Sequence, residues 1–219
     1  MRIRSFLFIL LTLLVASAGC TNQNYPEAAK IVLWSSDVTG GDFAVPKGKG
    51  IIVAVTPYDE AGNALPLDIS RLEWKSDNTK FLSVSPLGSG CVVYGIRDWY
   101  DIKDEYGRVY YEEPTAKIRV TYGAAHAEID VRVVINVSGT WGVTISDRAT
   151  REIELNQQGR SITYAGSSGA ERGSINGNKV KLQQLGLDLS GSLSSHTEGS
   201  GTYVGPYDTY GWWRATKRP

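Results

Sequence analysis

The residue types that most often carry catalysis or bind metals are scarce in this chain. Its 219 residues include two cysteines, two histidines and one methionine. The histidines, His126 and His196, have neither a second histidine nor a cysteine at ligand spacing, so we expect both to be solvated and no zinc site to form. No Gly–x–Ser–x–Gly elbow precedes a helical pattern, which argues against a serine hydrolase. The sequence therefore predicts no metal, no cofactor and no enzymatic activity.

Net charge is also lacking. Lysine and arginine total 23 residues, aspartate and glutamate total 23, and the formal charge is zero. Without residues 1–19, which contain two arginines and no acid, 21 basic residues stand against 23 acidic ones. Binding to nucleic acid needs a basic face, so we expect no nucleic-acid partner.

Long apolar runs are missing except at the N-terminus. Arg2 and Arg4 precede an apolar stretch over residues 6–18, which ends in small residues just before Cys20. The stretch is shorter than the roughly 20 residues that span a bilayer, and its layout is that of a secretory signal. With its cysteine it resembles a bacterial lipoprotein signal, although Ser17 stands where that family usually has leucine.

The lipoprotein resemblance implies a membrane partner through a lipid anchor. Residues 1–19 would be cleaved, Cys20 would be acylated, and residues 20–29 would form a tether. Thr21 replaces the aspartate that favours inner-membrane retention, which points to the outer membrane, while the periplasmic and surface faces both stay open. Cys91 then has no disulfide partner in the chain and lies in a strand-like run, so a buried, inert thiol is expected.

Helical periodicity is nearly absent after the tether. Short runs rich in Val, Ile, Tyr and Thr are separated by Gly, Asn, Asp and Pro, which predicts an all-β protein. About seven such runs occur over residues 30–136, and two of them alternate cleanly between apolar and polar residues. One packed face and one wet face predict an immunoglobulin-like sandwich of antiparallel strands. The residues expected on the packed face of these two runs are Ile118, Val120, Ile129, Val131 and Val133.

The first domain also resembles a known family. The motif Trp74–Lys75–Ser76–Asp77–Asn78 lies between a turn over residues 59–63 and a strand-like run over 82–88. This order is similar to the bacterial Ig-like domain, group 2, which occurs in adhesins and cell-surface proteins. The resemblance implies that Trp74 packs between the two sheets.

An insertion over residues 97–113 departs from that family, which has a short turn at this place. Aromatic side chains with polar ends are enriched at binding surfaces. The insertion is therefore either a contact surface for a glycan or a protein, or a β-hairpin extension with its turn at residues 104–108, folded onto its own domain. The candidate contact residues are Trp99, Tyr100, Tyr106, Tyr110 and Tyr111.

The acids of the insertion could in principle bind calcium, which prefers several oxygen ligands. Their spacing matches no calcium-loop motif, so we expect solvated acids and no metal. The residues concerned are Asp98, Asp101, Asp104, Glu105, Glu112 and Glu113.

The second domain covers residues 137–219 and is richer in Gly and Ser. About eight short strands, with a tight primed turn at Asn176–Gly177–Asn178, predict an up-and-down meander that closes into a small barrel. The recurring motifs Gly139–Thr140–Trp141, Gly201–Thr202–Tyr203 and Gly211–Trp212–Trp213 are similar to small lipocalin-like and avidin-like barrels of bacterial envelope proteins.

An eight-stranded barrel is either filled by its own side chains or holds one small molecule. Most inward positions carry bulky residues, which favours a packed core. The alternative is a ligand site lined by Trp141, Tyr203, Trp212 and Trp213. The expected inward residues are Trp141, Val143, Ile145, Ile153, Leu155, Ile162, Tyr164, Ile175, Val180, Leu182, Leu187, Leu189, Leu193, Tyr203 and Trp213.

These observations predict a non-enzymatic envelope lipoprotein that presents a binding, scaffolding or adhesion-type surface. Two alternatives stay open at this point. One is a small-ligand carrier that uses the second barrel, and the other is an accessory module of an envelope hydrolase system.

Overall fold

The computed structural model describes residues 25–38, 41–109, 112–146, 149–165, 172–184 and 186–219, and these residues form an all-β protein. A two-sheet sandwich is followed by a closed barrel, which confirms the predicted fold class. Within the described ranges, helix is limited to three short 3₁₀ turns, and none of them is long and apolar enough to cross a membrane. Cys20 and the first part of the tether lie outside the described residues.

The sandwich is built from eight strands of the described chain. They are β1 (Lys30–Trp34), β2 (Ala44–Pro46), β3 (Gly50–Tyr58), β4 (Leu72–Ser76), β5 (Leu82–Leu87), β6 (Gly90–Gly95), β7 (Thr115–Tyr122) and β8 (Ala125–Val134). One sheet has the order β1–β3–β6–β5 and the other the order β2–β8–β7–β4. This division of strands is that of an immunoglobulin-like sandwich.

Strand β2 is the strand that the sequence pattern does not predict. It has three residues, all buried, and ends in Pro46, so it is too short to show alternation. It pairs in parallel with β8, with Val45 opposite Val133. A proline is compatible with this place because an edge strand leaves some of its N–H groups without ladder partners.

The core of the sandwich follows the predicted alternation. In the β7–β8 pair, Ile118 lies opposite Ile129, and Ile118, Val131 and Val133 belong to one buried cluster. Trp74 packs against the two buried clusters of the sandwich, as the family resemblance implied. Cys91 is fully buried, and burial raises the pKa of its thiol to about 12, in agreement with the expected inert thiol.

The barrel consists of the next eight strands of the described chain. They are β9 (Gly139–Ile145), β10 (Arg151–Gln158), β11 (Ser161–Tyr164), β12 (Arg172–Asn176), β13 (Lys179–Gln184), β14 (Leu187–Leu193), β15 (Glu198–Gly205) and β16 (Thr209–Lys217). Each strand pairs antiparallel with the next, and β16 pairs with β9 to close the barrel. The predicted up-and-down meander is therefore confirmed.

The inward face of the barrel is also the predicted one. Of the fifteen expected inward residues, all are buried in one cluster except Ile145 and Leu187, which are partly buried against it. Gly191 lies against the ring of Trp213. A Cβ atom at this position would come within 2.5 Å of the Cζ2 atom of the indole, so only glycine fits there. The indole Nε1 of Trp213 donates a hydrogen bond to the carbonyl oxygen of Ser190 at 3.1 Å.

The linker over residues 135–138 joins the two domains tightly. Ile135 and Val137 are buried with the barrel core. The side chain of Gln157 accepts a hydrogen bond from the Val137 N–H at 2.7 Å and donates one to the Ile135 carbonyl at 3.0 Å. We call the junction between the two domains, centred on residues 135–138, the waist.

Strand register places Lys30, where the first strand begins, and the β15–β16 hairpin at opposite ends of the molecule. Strand β8 runs into the waist, and the start of β3 lies beside it because Lys47 bridges Gly95. Lys30 pairs with Tyr58 at the other end of β3, away from the waist. In the barrel, Lys217 pairs with Trp141 near the waist, so the β15–β16 turn lies at the far end.

Candidate functional site

The insertion at residues 97–113 packs against the barrel. It begins with a 3₁₀ turn over Trp99–Asp101, and the carboxylate of Asp98 caps this turn by accepting a hydrogen bond from the Tyr100 N–H at 3.0 Å. Trp99 is 0% exposed and belongs to the buried cluster of the barrel interior. The structure thus places Trp99 in the interior and outside any exposed contact surface, because its indole extends the barrel core towards the sandwich.

The other candidate aromatic residues of the insertion differ in their exposure to solvent. Tyr100 is partly buried, with its ring edge-on to Trp99 at 5.6 Å between centroids. Tyr106 is 75% exposed at the expected turn, where the Asp104 carboxylate accepts hydrogen bonds from the N–H groups of Tyr106 and Arg108. Tyr110 and Tyr111 lie outside the described residues. Within the described part of the insertion, Tyr106 is therefore the one predicted contact residue that faces solvent.

Asp98 and His196, both expected in solvent, contact each other across the waist. His196 lies in the turn between β14 and β15, and its Nε2 atom is 2.8 Å from Oδ2 of Asp98. The Asp98 side chain is fully buried, while His196 is about one-third exposed. The ring of Tyr100 stacks edge-on against His196 at 4.8 Å. These contacts correct the prediction that both residues are solvated, and they attach the insertion to the barrel.

Asp98, Asp101 and His196 could together hold a metal ion, because one ligand atom of each lies within 4.8 Å of the others. However, the Asp101 carboxylate is already paired with Lys47, whose Nζ atom is 2.7 Å from Oδ2. The same Oδ2 atom accepts the Asp98 N–H at 3.2 Å. A metal would have to displace these partners, so the geometry is that of an ion-paired structural contact.

A second polar contact crosses the waist at Arg160, which lies in the turn between β10 and β11. Its Nε atom is 2.5 Å from Oδ2 of Asp42, and both of its terminal nitrogens pair with the carboxylate of Glu113. Glu113 also accepts a hydrogen bond from the Gly177 N–H at 2.6 Å. Burial opposes the charge of Arg160, but its bonds to Glu113 and Asp42 outweigh burial and raise the pKa of the guanidinium.

Glu113 is thus another acid of the insertion that the sequence analysis expected in solvent, whereas its side chain is only 8% exposed. Both ends of the insertion are therefore attached to the barrel, one through Asp98 and the other through Glu113. The turn over residues 104–108 confirms part of the hairpin interpretation, but the surface on which the insertion packs belongs to the barrel as well as to its own domain.

The centre of the barrel interior is filled by its own side chains. Its cavity is about 20 Å³ and is lined by apolar side chains, including those of Trp141 and Trp213. Ligand sites are usually about 300–1,000 Å³. A cavity of about 20 Å³ holds one water molecule at most. Trp141, Tyr203 and Trp213 are buried as predicted, but Trp212 is 42% exposed and points out of the barrel. The four residues of the alternative ligand site therefore do not line one cavity, while a wider cavity of about 280 Å³ opens at the far end of the barrel beside Ile145, Leu187 and Pro206.

The exposed aromatic side chains concentrate on the β15–β16 hairpin at the far end of the barrel. Tyr207 is 99% exposed, Tyr210 76% and Trp212 42%. Tyr210 lies opposite Val204, and Trp212 lies opposite Thr202, so both point outward from the same face of the hairpin. The guanidinium of Arg214 lies over the Trp212 ring, 5.5 Å from its centroid. We call Tyr207, Tyr210 and Trp212 the aromatic hairpin.

The backbone at the tip of this hairpin is unusual. Tyr207 has φ 59° and ψ 37°, which is the left-handed region that large side chains rarely adopt. Residues held in such conformations cluster at functional sites. The sequence analysis missed Tyr207 and Tyr210, although the alternation Tyr210–Gly211–Trp212–Trp213–Arg214 contains the signal that Tyr210 and Trp212 share a face.

A second group of exposed apolar residues lies on the outer face of the sheet β1–β3–β6–β5. Its aromatic members are held against their own sheet. The Trp34 indole donates a hydrogen bond to the Thr56 hydroxyl at 3.1 Å. The ring of Tyr94 lies over Gly50, where an added Cβ atom would approach it to 3.0 Å. These rings are less available to a partner than that of Tyr207.

No family model and no curated protein matches the chain. Among solved structures, it is similar to domains 4–9 of the surface layer protein SbsC, with 15% identity, a TM-score of 0.37, and coverage of 89% of this chain and 27% of that one. Domains 5–6 of SbsC give 15% identity, a TM-score of 0.33, and coverage of 86% and 85%.

The chain thus spans about a quarter of the larger SbsC structure. TM-scores of this size do not transfer a function from one protein to another. The partner has to be inferred from the surface of this chain, and the resemblances to a lipoprotein signal and to the group 2 Ig-like domain stay predictions.

Proposed function

We propose that the chain is a non-enzymatic envelope lipoprotein that presents the aromatic hairpin to a partner. The observation that carries the proposal is the concentration of three exposed aromatic side chains, Tyr207, Tyr210 and Trp212, at one end of the barrel. Tyrosine and tryptophan supply large contact areas at a low cost in conformational entropy. Clusters of exposed apolar surface mark interaction sites in soluble domains.

The position of the hairpin fits an anchored protein. An acylated Cys20 would hold the sandwich by its Lys30 end. Ala28, expected in the tether, is buried in the sandwich core, so the stretch from Cys20 to Ala28 spans at most about 28 Å when extended. The aromatic hairpin lies at the opposite end of the molecule, so it would point away from the membrane. An outer-membrane location is part of the proposal, on the grounds of Thr21 given above.

The waist supports this mode of presentation. The contacts of Asp98 with His196 and of Arg160 with Glu113 attach the barrel to the sandwich at two separate places. A rigid body of two domains positions a surface better than two domains on a flexible linker, because less conformational entropy is lost on binding. The buried linker residue Val137 contributes to the same rigidity.

Tyr106 is the second candidate contact, because it is 75% exposed at the turn of the insertion. Among the described residues of the predicted aromatic surface of the insertion, it is the one that faces solvent. Its ring is covered on one side by Arg108, whose guanidinium lies 5.2 Å from the ring centroid. A single aromatic residue offers less contact area than the hairpin, so we place the principal contact at the hairpin.

The proposal is tested by saturation binding of the purified chain, residues 21–219, to isolated envelope fractions. The triple variant Tyr207→Ser, Tyr210→Ser and Trp212→Ser is compared with the matched variant Tyr106→Ser. All four residues are exposed, so each variant is expected to keep the wild-type thermal midpoint. The triple variant should bind at least about tenfold more weakly, the usual loss when a contact hot spot is removed.

Two controls separate the outcomes. Protease treatment and glycosidase treatment of the envelope distinguish a protein partner from a glycan. Equal binding by the triple variant and the wild type would contradict the proposal for the hairpin. Loss of binding by Tyr106→Ser alone would instead assign the contact to the insertion.

A further inference from the structure

The outer wall of the barrel carries a groove on strands β12, β13 and β14. Its volume is about 440 Å³, which lies within the usual range of ligand sites. Its lining includes charged, amide and hydroxyl side chains, all of them exposed: Arg172, Ser174, Lys181, Gln183, Asp188 and Ser190. Such a lining offers both donors and acceptors to a ligand that carries several hydroxyl or amide groups.

Strand register connects this groove to the aromatic hairpin. Side chains that lie directly opposite each other in paired strands share one face of the sheet. Two rows of such side chains cross strands β14, β15 and β16: Ser190, Thr202 and Trp212 in one row, and Asp188, Val204 and Tyr210 in the other. All six are exposed. The groove and the rings of Trp212 and Tyr210 therefore form one continuous outer surface, which we call the barrel face.

The polar groups of the barrel face are available to a ligand. Within the described part of the chain, the hydroxyls of Ser190 and Thr202 make no hydrogen bond with another residue. The Asp188 carboxylate is oriented, because its Oδ1 atom accepts a hydrogen bond from the Gln183 side-chain amide at 3.0 Å. Its Oδ2 atom is left as an acceptor. The barrel face thus presents two hydroxyls and an oriented carboxylate directly beside two aromatic rings.

This arrangement suits a chain of sugars better than a protein. The centre of a protein contact is apolar, and its polar groups lie at the rim. On the barrel face, the hydroxyls of Thr202 and Ser190 lie between the Trp212 ring and the groove, so polar groups occupy the centre. A pyranose ring has a face of C–H groups and an edge of hydroxyls. It can stack on an aromatic ring and at the same time bond to neighbouring polar side chains.

Val204 narrows the class of sugar. It is 53% exposed and lies between the Asp188 carboxylate and the Tyr210 ring in the same row. An acetamido group matches this arrangement, because its N–H can donate to Asp188 while its methyl group covers Val204. A hydroxyl in the same place would leave the apolar surface of Val204 in water.

We propose that the barrel face binds a linear glycan of N-acetylated amino sugars. Trp212 and Tyr210 stack on its rings, and Asp188 and Val204 contact an acetamido group. The two aromatic residues are two positions apart on one strand, about 6.8 Å, so they contact neighbouring rings of one glycan chain. This inference rests on the proposed function, because the aromatic hairpin forms one side of the site, and it adds the chemical class of the partner.

The test is a titration of the unlipidated chain, residues 21–219, with tetra-N-acetylchitotetraose, followed by two-dimensional amide NMR. Cellotetraose is the matched ligand, because it has the same linkage with hydroxyls in place of the acetamido groups. The acetylated sugar should shift the amides of residues 188–190, 202–204 and 210–212 in a saturable way. Cellotetraose should bind at least about tenfold more weakly, since it loses a hydrogen bond and leaves apolar surface uncovered.

Variants separate the contacts of the barrel face. Trp212→Ser should weaken binding of the acetylated sugar at least about tenfold, as expected for a stacked anchor. Val204→Ser should weaken it about fivefold, because half of a valine side chain is no longer covered. The matched variant Val32→Ser removes a valine that is 41% exposed on the sandwich and should leave binding unchanged. All three side chains are exposed, so each variant should keep the wild-type thermal midpoint.

Equal binding of the two tetrasaccharides, or equal binding by Val204→Ser and Val32→Ser, would overturn this inference. Absence of binding to tetra-N-acetylchitotetraose would do the same. The proposed function is judged separately, by the envelope binding of the triple hairpin variant. If that variant loses envelope binding while the wild type binds neither tetrasaccharide, the hairpin contacts a partner of another chemistry. The glycan inference then fails and the proposed function stands.

Discussion

At the scale of single residues, the waist depends on side chains whose local sequence gives no hint of their partners. Asp98 and His196 are 98 positions apart in the chain, and Arg160 and Asp42 are 118 apart. Periodicity describes contacts within one strand or between neighbouring strands. It carries no information about polar pairs between domains, which is why the sequence analysis expected Asp98 and His196 in solvent.

Replacing His196 tests the importance of its contact with the buried carboxylate. His196→Ala leaves the Asp98 carboxylate without its side-chain partner, so we expect it to lower the free energy of unfolding by about 1.5–3 kcal/mol. His196→Gln keeps an N–H donor and should recover part of that loss. The matched variant His126→Ala, at an exposed position of β8, should stay within about 0.5 kcal/mol of the wild type. Urea unfolding measures all three, and equal stability of His196→Ala and His126→Ala would contradict the assignment.

The buried thiol of Cys91 makes a pH-dependent prediction. Burial raises the pKa of the thiol from its ordinary value of 9.0 to about 12, so the folded state favours the protonated thiol. Below about pH 9 this contribution to stability is complete, and it is lost as the pH rises through the interval up to about 12. In the native chain at pH 8, Cys91 should resist a thiol-specific reagent and react only after unfolding. Rapid labelling of the folded protein would show that the thiol is accessible.

At the scale of elements, the strands and the barrel interior are predictable because side chains alternate with period two. The inward residues of β9–β16 follow directly from that period, and so does the packed pair β7–β8. Strand β2 is too short to alternate. The insertion could not be placed because its aromatic residues are compatible with both an exposed surface and a core, and burial against a second domain decides between them.

Truncating Trp99 and Tyr106 compares a buried and an exposed aromatic residue within the same insertion. Trp99→Ala removes a fully buried indole and should cost about 3–5 kcal/mol of stability. Tyr106→Ala removes an exposed ring and should cost less than about 0.5 kcal/mol. Thermal and urea unfolding provide the comparison. A neutral Trp99→Ala variant would mean that the insertion does not pack into the barrel core.

At the scale of the whole molecule, the sandwich and the barrel are joined so that Lys30 and the aromatic hairpin lie at opposite ends. Lys30 lies at one end of the molecule, in the sandwich, and the barrel carries the aromatic hairpin at the other end. The waist joins them through the buried linker, through Asp98 with His196 and through Arg160 with Glu113. Domains that share buried contacts unfold together, so the wild type should show a single cooperative transition.

Removing Arg160 should break that cooperativity. Arg160→Ala leaves the carboxylate of Glu113 nearly buried and unpaired, which costs about 3 kcal/mol in comparable buried pairs. We expect two calorimetric transitions in this variant, one for each domain. The matched variant Arg119→Ala removes an exposed ion pair with Glu128 on the sandwich surface and should keep a single transition. Two transitions in the wild type itself would show that the waist does not couple the domains.

The central claim is that the aromatic hairpin touches an envelope partner, and site-specific photo-crosslinking in intact cells tests it most directly. A photoreactive phenylalanine analogue is placed at Tyr210, and at Thr163 on another exposed barrel strand as the control. We expect a discrete crosslinked species from position 210 and none from position 163. No crosslink from position 210, or the same species from both positions, would contradict it.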